Sequence, residues 1–372
     1  MSGVSSAPRV EIWGVPGIPE IRHGDDLAAL IVKSLAAQGD SFEPGDIVAI
    51  SSKVASKALG LVTAAGDKET VVASETVAVV AERTAGGHVT RIVRAAAGPV
   101  MAAAGVDASN TGAAEGVLLL LPHHPDEVCR ALHEALVSAS GVVPLGVILT
   151  DTAGRPWRGG QTDFALGSWG VHVYDDYRGG VDADGRPLAV TVRAIVDELA
   201  AAADLVKGKV DGVPVAIIRG RAAWVEATPT AVGAESVVRT GTTDWFALGS
   251  QEAVRSALGV PPGTAVAASV GIRPVGSDSV AAQVDRAVGV ALQGVNGPAG
   301  ISGGAGAELG VDVGVGIDVG SDRIDVTGDN PVSVGVIAAR LDVALWGEGV
   351  PHQLHLGPDR AHISLNSSPH TD

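Results

Sequence analysis

The chain is poor in cysteine. Cys129 is the single cysteine among 372 residues, so no disulfide can form within the chain and no zinc site with several cysteine ligands is available. Fold stability and any metal binding must therefore depend on other residue types.

Aromatic side chains are also scarce, at 3% of the chain, although 46% of the residues are hydrophobic. The core is therefore expected to consist mainly of Val, Leu, Ile and Ala. Charged residues supply only 18%, which excludes disorder over most of the chain, because disordered chains combine low hydrophobicity with high charge. The 50 glycines are nearly twice the usual share of about 7% and indicate many tight turns.

Basic residues are outnumbered, with 26 lysines and arginines against 42 acidic residues and a net charge of −16. This balance argues against binding of nucleic acid through neutralisation of its phosphates. A small nucleotide ligand stays open, because a metal ion can carry the positive charge. Only six of the basic residues are lysines. Two of them, Lys53 and Lys57, lie within the seven-residue segment 51–57, and this clustering of a rare residue marks the segment as a candidate binding site.

The chain also lacks the features of a membrane or secreted protein. The uncharged stretch ALVSASGVVPLGVILT (135–150) is short for a membrane span and contains Gly, Ser and Pro. The first residues, MSGVSSAPRVEIWGV, do not show the charged-then-apolar pattern of a signal peptide. We therefore expect a soluble, cytoplasmic protein.

Several motifs of common enzymes are missing as well. We find no G-x-x-x-x-G-K-[ST] loop and no G-x-G-x-x-G after a strand, which excludes a Walker P-loop and a Rossmann fingerprint. There is no G-x-S-x-G elbow and no H-E-x-x-H pair. The Gly-rich stretch 294–320 is interpreted as turns and bulges rather than as a phosphate loop.

The length indicates two domains, at about 100–200 residues each. Strands and helices alternate through the first two-thirds without a clean βαβ period, which favours a mixed α+β fold over a doubly wound sheet. We place the first domain at 1–248 and a smaller, Gly-rich and β-rich α/β domain of unknown role at 249–372. The main predicted elements are buried strands at 45–52, 142–150 and 213–220, helices at 125–141, 190–209 and 250–260, a helix in PVSVGVIAARLDVALWG, and paired strands in HQLHLGPDRAHISLN.

Four polar loops in the first domain are candidate binding segments. GVPGIPEIRHGDD (14–26) forms a rigid turn that can offer backbone N–H groups to an anion. SSKVASK (51–57) supplies two hydroxyls and two lysines, and lysine is a compact charge suited to phosphate; a solvated loop-to-helix junction explains it equally well. GVDASNTG (105–112) adds an acid and an amide, and TDTAGRPWRGGQTDFALG (150–167) follows an apolar strand and is predicted to continue into a helical segment.

Asp151 and Thr152 stand at the end of that strand. A carboxylate and a hydroxyl are oxygen ligands for a hard cation, and Mg²⁺ or Mn²⁺ in turn bridges nucleotide phosphates. The alternative use of such a pair is a helix or turn cap. The histidines are expected at the surface or on a sheet face, with a metal site at His352, His355 and His362 as a lesser alternative.

These stretches, in this order, resemble the coenzyme F420-0:L-glutamate ligase (F420-0:gamma-glutamyl ligase) family from about residue 9 to 246, roughly two-thirds of the chain. The resemblance is carried by GIPEIRHGDDL, GDIVAISSKVASKALG, AAAGVDASNT, ILTDTAGRPWRGGQTDFALGSWGV and DELAAAADLVKGK. It implies an α+β fold in an intertwined homodimer, whose groove holds GTP and divalent metals without a P-loop.

The resemblance also implies an activity. GTP would phosphorylate the lactyl carboxylate of F420-0, L-glutamate would displace phosphate from the acyl phosphate, and GDP and phosphate would be released, with further γ-linked glutamates left open. Two ions of Mg²⁺ or Mn²⁺ are expected, and K⁺ is a further candidate. A non-catalytic module that binds nucleotide or F420 precursor and a metal-dependent phosphohydrolase remain the alternatives.

Site residues follow from the same resemblance. Asp107 and Asp151 would bind the first metal and Thr152 the second, with Glu235 in GAES (233–236) as a further ligand. Asp107, Asp151 and Lys57 would act in catalysis by neutralising the phosphates and the acceptor carboxylate. Contacts to GTP are implied for Pro19, Glu20, Ile21, Arg22, Ser51, Ser52, Lys57 and Asn110.

The C-terminal third departs from the resemblance. Some actinobacterial relatives carry a nitroreductase-like flavin domain that opens with an arginine-rich segment. Here DWFALGSQEAVRSALGV starts similarly but lacks the arginine cluster, so neither FMN nor a reductase activity is expected.

Overall fold

The computed structural model describes residues 7–64, 66–109, 111, 116–294, 299–302 (backbone only) and 314–365. Within these residues the strands are β1 Glu11–Gly14, β2 Ile47–Ser51, β3 Val62–Ala64, β4 Thr76–Ala85, β5 His88–Ala95, β6 Val100–Ala102, β7 Val117–Leu119, β8 Gly146–Arg155, β9 Arg158–Trp169, β10 Tyr174–Asp176, β11 Val192–Ala194, β12 Val215–Arg219, β13 Ala299–Ser302, β14 Val315–Val319, β15 Arg323–Gly328, β16 His352–Leu356 and β17 Arg360–Leu365. The α-helices are α1 Leu27–Ala37, α2 Ser52–Leu59, α3 Lys68–Ser74, α4 Pro125–Ser140, α5 Ile195–Lys207, α6 Ser250–Ala257, α7 Ala265–Val270, α8 Val280–Ala291 and α9 Pro331–Glu348.

The chain divides into two compact units. The first contains residues up to Val77 and from Arg94 to Thr243, and the second contains Ala78–Val93 and the chain from Asp244. The segment 78–93, which the sequence analysis placed in the first domain, therefore groups with the C-terminal third. Backbone hydrogen bonds from Gly249 to Val80 and from Thr84 to Arg273 tie it there.

A five-stranded mixed sheet organises the first unit, in the order β1-β12-β2-β8-β9. β2 and β8 are parallel, and the other neighbouring pairs are antiparallel. Alternate residues of the central strands pack against α1 and α4 on one face and against α5 on the other. Burial on both faces explains why these strands are continuous apolar runs, and the prediction of a mixed α+β fold is confirmed.

β8 and β9 extend beyond the sheet as a two-stranded arm. β8 pairs with β2 from Gly146 to Thr150 and continues along β9 to Arg155. Residues 154–161 are exposed, and Trp157 at the tip is 81% exposed. The helical segment predicted after Trp157 is wrong, because this stretch pairs with β8 and its Gly159 and Gly160 disfavour a helix.

The helix predicted at 190–209 begins later than expected. Val192–Ala194 is strand β11, paired with β10, and α5 starts at Ile195. The β-branched residues of this stretch suit the strand, and Asp197 and Glu198 then favour the first turn of the helix.

The second unit contains another five-stranded sheet, in the order β13-β14-β15-β17-β16. β13 is parallel to β14 and the other pairs are antiparallel. Apolar residues of this sheet pack with α8 and α9. The helix predicted in PVSVGVIAARLDVALWG and the paired strands predicted in HQLHLGPDRAHISLN are confirmed as α9 and β16–β17.

Glu348, at the end of α9, is buried in the second unit and bonded to two arginines. Its two carboxylate oxygens accept hydrogen bonds from Arg255 at 2.6 Å and Arg286 at 2.8 Å.

No α-helix in the described part of the chain has the length and apolar character needed to cross a bilayer.

Candidate active site

The site lies where β2 ends beside β8. Ser51, the last residue of β2, lies opposite Thr150 of its parallel neighbour β8, and from there β8 leaves the sheet and continues along β9 as the arm. Asp151 follows Thr150, and α2 begins at Ser52. In open sheets with parallel strands, ligands bind outside the carboxyl ends of the strands.

A cavity of about 480 Å³ opens at this point. The loop 18–21, helix α2, the end of β2, residues 150–152 of β8, Asp163 of β9 and the segment 204–214 line it. Its charged lining consists of four lysines and four carboxylates, namely Lys53, Lys57, Lys207, Lys209, Glu20, Asp151, Asp163 and Asp204. Four of the six lysines of an acidic chain therefore meet in one cavity, which makes it the best candidate for binding an anion.

Helix α2 presents two of these lysines, four residues apart. Lys57 forms an ion pair with Glu20 in the loop 18–21. Lys53 donates to Oδ2 of Asp107 and to Oγ of Ser109, both at 2.7 Å. Burial raises the pKa of Asp107, but the hydrogen bonds from Lys53 and Ser109 outweigh this effect, so the pKa lies below its usual value.

Asp151 is held differently. Its Oδ1 accepts a hydrogen bond from Oγ of Ser52 at 3.0 Å, and within the described residues no cationic side chain forms an ion pair with it. Burial, together with the charge of Asp163, raises the pKa of Asp151 to about 6, although Ser52 and the charge of Lys53 act in the opposite direction. The cavity therefore destabilises the negative charge on this carboxylate, and a bound cation would stabilise it.

The remaining two lysines lie at the end of α5, with Lys207 as its last residue and Lys209 two residues beyond it. Lys207 is buried and donates to Oγ1 of Thr150 and, at 2.7 Å, to Oδ2 of Asp163. Thr152 lies opposite Asp163 in the β8–β9 pair and donates to its Oδ1 at 2.6 Å. Lys209 donates to Oγ1 of Thr152.

Most residues that the resemblance assigned to the site meet in this cavity. Ser52 and Asp107 adjoin it through their bonds to Asp151 and Lys53. Arg22 does not line it, and its backbone N–H is bonded to Asp25. Asn110 lies outside the described residues. The assigned residues that line the cavity are Pro19, Glu20, Ile21, Ser51, Lys57, Asp151 and Thr152.

The structure does not bring Glu235 to the cavity. The backbone N–H of Glu235 donates to Oδ2 of Asp126 at 3.2 Å. The pKa of Asp126 is raised by burial and by the charge of Glu235. Glu235 thus belongs to a pair of acids at the start of α4, and its position gives no support to its assignment as a metal ligand.

Comparison with known proteins bears on the same part of the chain. The family described as F420-0:Gamma-glutamyl ligase matches residues 17–220, more than half of the chain, and this span includes all residues that line the cavity. The chain belongs to the F420-0:gamma-glutamyl ligase family. Our expectation of a ligase is therefore confirmed.

Individual members of the F420-0:gamma-glutamyl ligase family are similar over the same region. Proteins named coenzyme F420:L-glutamate ligase from Halobacterium salinarum, Haloarcula marismortui and Halorubrum lacusprofundi are 40%, 38% and 35% identical to this chain. Each match covers 56% of this chain and 85% or 87% of the relative. The matched region spans most of each relative.

Several polar residues of this cavity were not predicted from the sequence. Lys53 was considered as a phosphate contact in SSKVASK but was not among the residues assigned to the site, and Asp163, Lys207 and Lys209 were not singled out. The rarity of lysine was a usable signal, since Lys207 and Lys209 lie in a quoted block of the resemblance. Asp163 also lies in a quoted block, but aspartate is not rare in this chain, and the place of Asp163 in the cavity depends on the register of β9.

The fit of a metal can be judged from the oxygen donors. Within the described residues, no group of three or more His, Cys, Asp or Glu side chains is arranged to hold a metal ion. The carboxylate of Asp151 beside the hydroxyl of Ser52 nevertheless offers hard oxygen ligands. Mg²⁺ is typically held by one or two carboxylates, with water and substrate phosphates completing its shell. The residues therefore fit a cation at Asp151 that a phosphate-bearing substrate would complete.

A second groove of about 870 Å³ lies between α1, α2 and α4. Its lining is mostly apolar and, among the residues described, includes no lysine and none of the residues assigned to GTP or metal. The smaller, lysine-lined cavity is therefore the candidate active site.

Proposed function

We propose that this protein joins L-glutamate to coenzyme F420-0 in a GTP-dependent reaction of F420 biosynthesis. The observation that carries the proposal is the meeting of four lysines and Asp151 where β2 ends beside β8, within the span matched by the ligase family. The names of the relatives support the substrate pair F420 and glutamate.

The proposed chemistry passes through an acyl phosphate, because a free carboxylate is a poor acyl donor. An oxygen of the lactyl carboxylate of F420-0 attacks the γ-phosphorus of GTP, and GDP leaves. The amino nitrogen of glutamate then attacks the acyl carbon and loses a proton, the amide bond forms, and phosphate leaves. Addition of further glutamates through γ-linkages repeats the same steps on the new terminal carboxylate.

The lysines perform the electrostatic part of this work. Phosphoryl transfer is catalysed mainly by positioning and charge neutralisation. Glu20 and Asp107 hold Lys57 and Lys53 on one side of the cavity, and Asp163 holds Lys207 on another. Ammonium groups fixed in this way can place a triphosphate and a carboxylate close together despite the net charge of the chain.

Asp151 is the first proposed ligand of a divalent cation, Mg²⁺ or Mn²⁺, with K⁺ as a further candidate ion. Asp107 would join it as a ligand only by exchanging its ion pair with Lys53 for the metal. Such an ion supplies charge neutralisation at the phosphates and at the acceptor carboxylate. Ser52 orients the carboxylate of Asp151 through its hydrogen bond.

The proposal includes a homodimer. The β8–β9 arm extends past β2, exposes residues 154–161 and carries Trp157 at its tip. An exposed tryptophan on a projecting arm suits insertion into a second copy, because aromatic side chains are typical anchors of interfaces. Light scattering on the purified 37.1 kDa chain distinguishes the expected dimer from a monomer, which would contradict this part.

The activity is tested by incubating the protein with F420-0, GTP, L-glutamate and Mg²⁺ or Mn²⁺, followed by mass spectrometry. A product heavier by one or more glutamyl units supports the ligase. GTP hydrolysis without that product would favour the phosphohydrolase, and binding without turnover would favour a non-catalytic module.

Asp151→Asn provides the matched variant. It preserves the shape of the side chain but removes its charge, and we expect the rate to fall by about 100-fold or more, as for other groups that stabilise the transition state. Lys33→Gln, at an exposed position of α1, is the control and should keep full activity. Unchanged activity of Asp151→Asn would refute its assignment.

A further inference from the structure

The hydroxyl of Thr152 already has two protein partners. It donates to Oδ1 of Asp163 at 2.6 Å and accepts a hydrogen bond from the ammonium of Lys209. A threonine hydroxyl has one donor and two acceptor sites, so a single acceptor site is left. The other oxygen of Asp163 accepts from Lys207 at 2.7 Å. A metal ion at Thr152 would therefore have to compete with ammonium groups for both residues.

The charge around Thr152 is also unsuited to a cation. Lys207 and Asp163 form a buried ion pair whose charges cancel. Lys209 is exposed, and within the part of the chain that the structure describes no carboxylate forms an ion pair with it. The cluster of Thr152, Asp163, Lys207 and Lys209 thus carries one surplus positive charge, which the adjacent carboxylate of Asp151 balances. A divalent ion at Thr152 in addition to one at Asp151 would leave this part of the cavity with excess positive charge.

Asp151, the next residue, shows the opposite situation. Its carboxylate accepts from the neutral hydroxyl of Ser52, and no cationic side chain among the described residues forms an ion pair with it. The cavity thus has an acceptor for a cation at Asp151 and a cation of its own at Thr152.

On the basis of the proposed function, we infer that the ammonium group of Lys209 takes the place of a second divalent cation at Thr152. The cavity of each chain then binds a single divalent ion, at Asp151. The resemblance implied a second metal at Thr152, and the geometry disagrees with that expectation. Lys209 then serves as a charged contact for the anionic substrate group that faces Thr152.

Counting bound Mn²⁺ tests this inference without an activity measurement. The protein is titrated with Mn²⁺ in the presence of the non-hydrolysable analogue guanosine 5′-(β,γ-imido)triphosphate, free Mn²⁺ is followed by electron paramagnetic resonance, and a blank corrects for the analogue alone. We expect one Mn²⁺ per chain for the wild type. Lys209→Gln, which replaces the ammonium by an amide oxygen donor, should bind two and show the line broadening of a coupled Mn²⁺ pair.

Lys209→Arg keeps the charge and should bind one Mn²⁺, and so should Lys33→Gln, which removes the same charge from an exposed position on α1. Circular dichroism verifies that each variant is folded. Two Mn²⁺ in the wild type, or one in Lys209→Gln, would overturn the inference while leaving the ligase proposal intact. No bound Mn²⁺ in any variant would overturn both the inference and the assignment of Asp151 as a ligand. A wild-type protein that binds one Mn²⁺ but transfers no glutamyl group would count against the ligase proposal alone.

Discussion

Replacing Lys207 by methionine should destabilise the first unit by about 3–5 kcal/mol, the usual cost of removing one partner from a buried ion pair. The side chains of Lys207 and Asp163 are each 4% exposed, and their charged atoms are 2.7 Å apart. Methionine fills most of the space of the lysine chain but supplies no proton to Asp163 or to Thr150. Asp163 then keeps its hydrogen bond from Thr152 and loses its counter-ion.

The magnitude follows from charge and distance. Two unit charges 2.7 Å apart attract by about 6 kcal/mol at an effective dielectric constant of about 20. Relief from burying the lysine ammonium offsets part of this loss, which brings the expected effect into the range of about 3–5 kcal/mol measured for broken buried pairs.

The effect should depend on pH in a defined direction. Burial raises the pKa of Asp163, but the charge and hydrogen bond of Lys207 outweigh it, so the wild-type pKa lies below the usual value. The stabilisation is therefore present at neutral pH and is lost only as the pH falls through that lowered pKa. Without Lys207, burial dominates and raises the pKa, so the folded variant gains a proton at acid pH. The deficit of Lys207→Met should therefore be smaller at pH 5 than at pH 7.

Urea unfolding followed by tryptophan fluorescence and circular dichroism measures these free energies. The double variant Lys207→Met/Asp163→Leu should recover most of the loss, because a buried pair replaced by apolar residues is often neutral. Lys33→Met, on the exposed side of α1, should stay within about 0.5 kcal/mol of the wild type. A loss below about 1 kcal/mol for Lys207→Met, or a double variant as unstable as the sum of the single ones, would refute the reasoning.

Two further outcomes are expected elsewhere in the chain. Glu348→Gln should cost the second unit about 3 kcal/mol of unfolding free energy, because Arg255 and Arg286 then lose their shared anionic partner. Calorimetry measures this loss, and the control Asp342→Asn, at a carboxylate that is 42% exposed, should cost under about 1 kcal/mol. Equal losses for the two variants would contradict this explanation. The thiol of Cys129 is fully buried, and burial raises its pKa well above the usual value. It should therefore not react with an aromatic disulfide reagent at mildly alkaline pH until the protein is unfolded, when one equivalent of the reagent's thiol is released per chain. Rapid labelling of the folded protein would count against this burial.

The elements of the fold were predictable where a local pattern decided them. The apolar runs at 45–52, 142–150 and 213–220 became β2, β8 and β12, and the Pro and acids before 141 marked α4. The β8–β9 arm was not predictable, because its exposed residues carry no apolar alternation. The grouping of 78–93 with the C-terminal third depends on backbone hydrogen bonds to residues about 170–190 positions further along the chain. The sequence of 78–93 contains no local pattern that predicts such distant pairing.

The site divides in the same way. Asp151 and Thr152 were identified because they follow the apolar run 142–150, although the structure continues β8 to Arg155 and places both within the strand. The rarity of lysine drew attention to Lys53 and Lys57, and the resemblance selected Lys57. The role of Asp163 was hidden, since it depends on pairing with Thr152 across the arm and on a buried lysine 44 positions further along the chain. Burial of an ion pair is a property of tertiary packing, and a composition or spacing argument does not detect it.

The distribution of lysines also determines how the protein can be handled chemically. Lys33 and Lys68 are exposed on α1 and α3, whereas the other four lysines of the six surround one cavity. Succinimidyl dyes, amine-coupled sensor surfaces and lysine cross-linkers are therefore expected to react at the exposed lysines, Lys33, Lys68 and, within the cavity, Lys209, whereas Lys57 and Lys207 are buried. Immobilisation through a terminal tag spares Lys209, and protection of Lys209 alone from an amine reagent, with Lys33 and Lys68 still labelled, would report a ligand in the cavity.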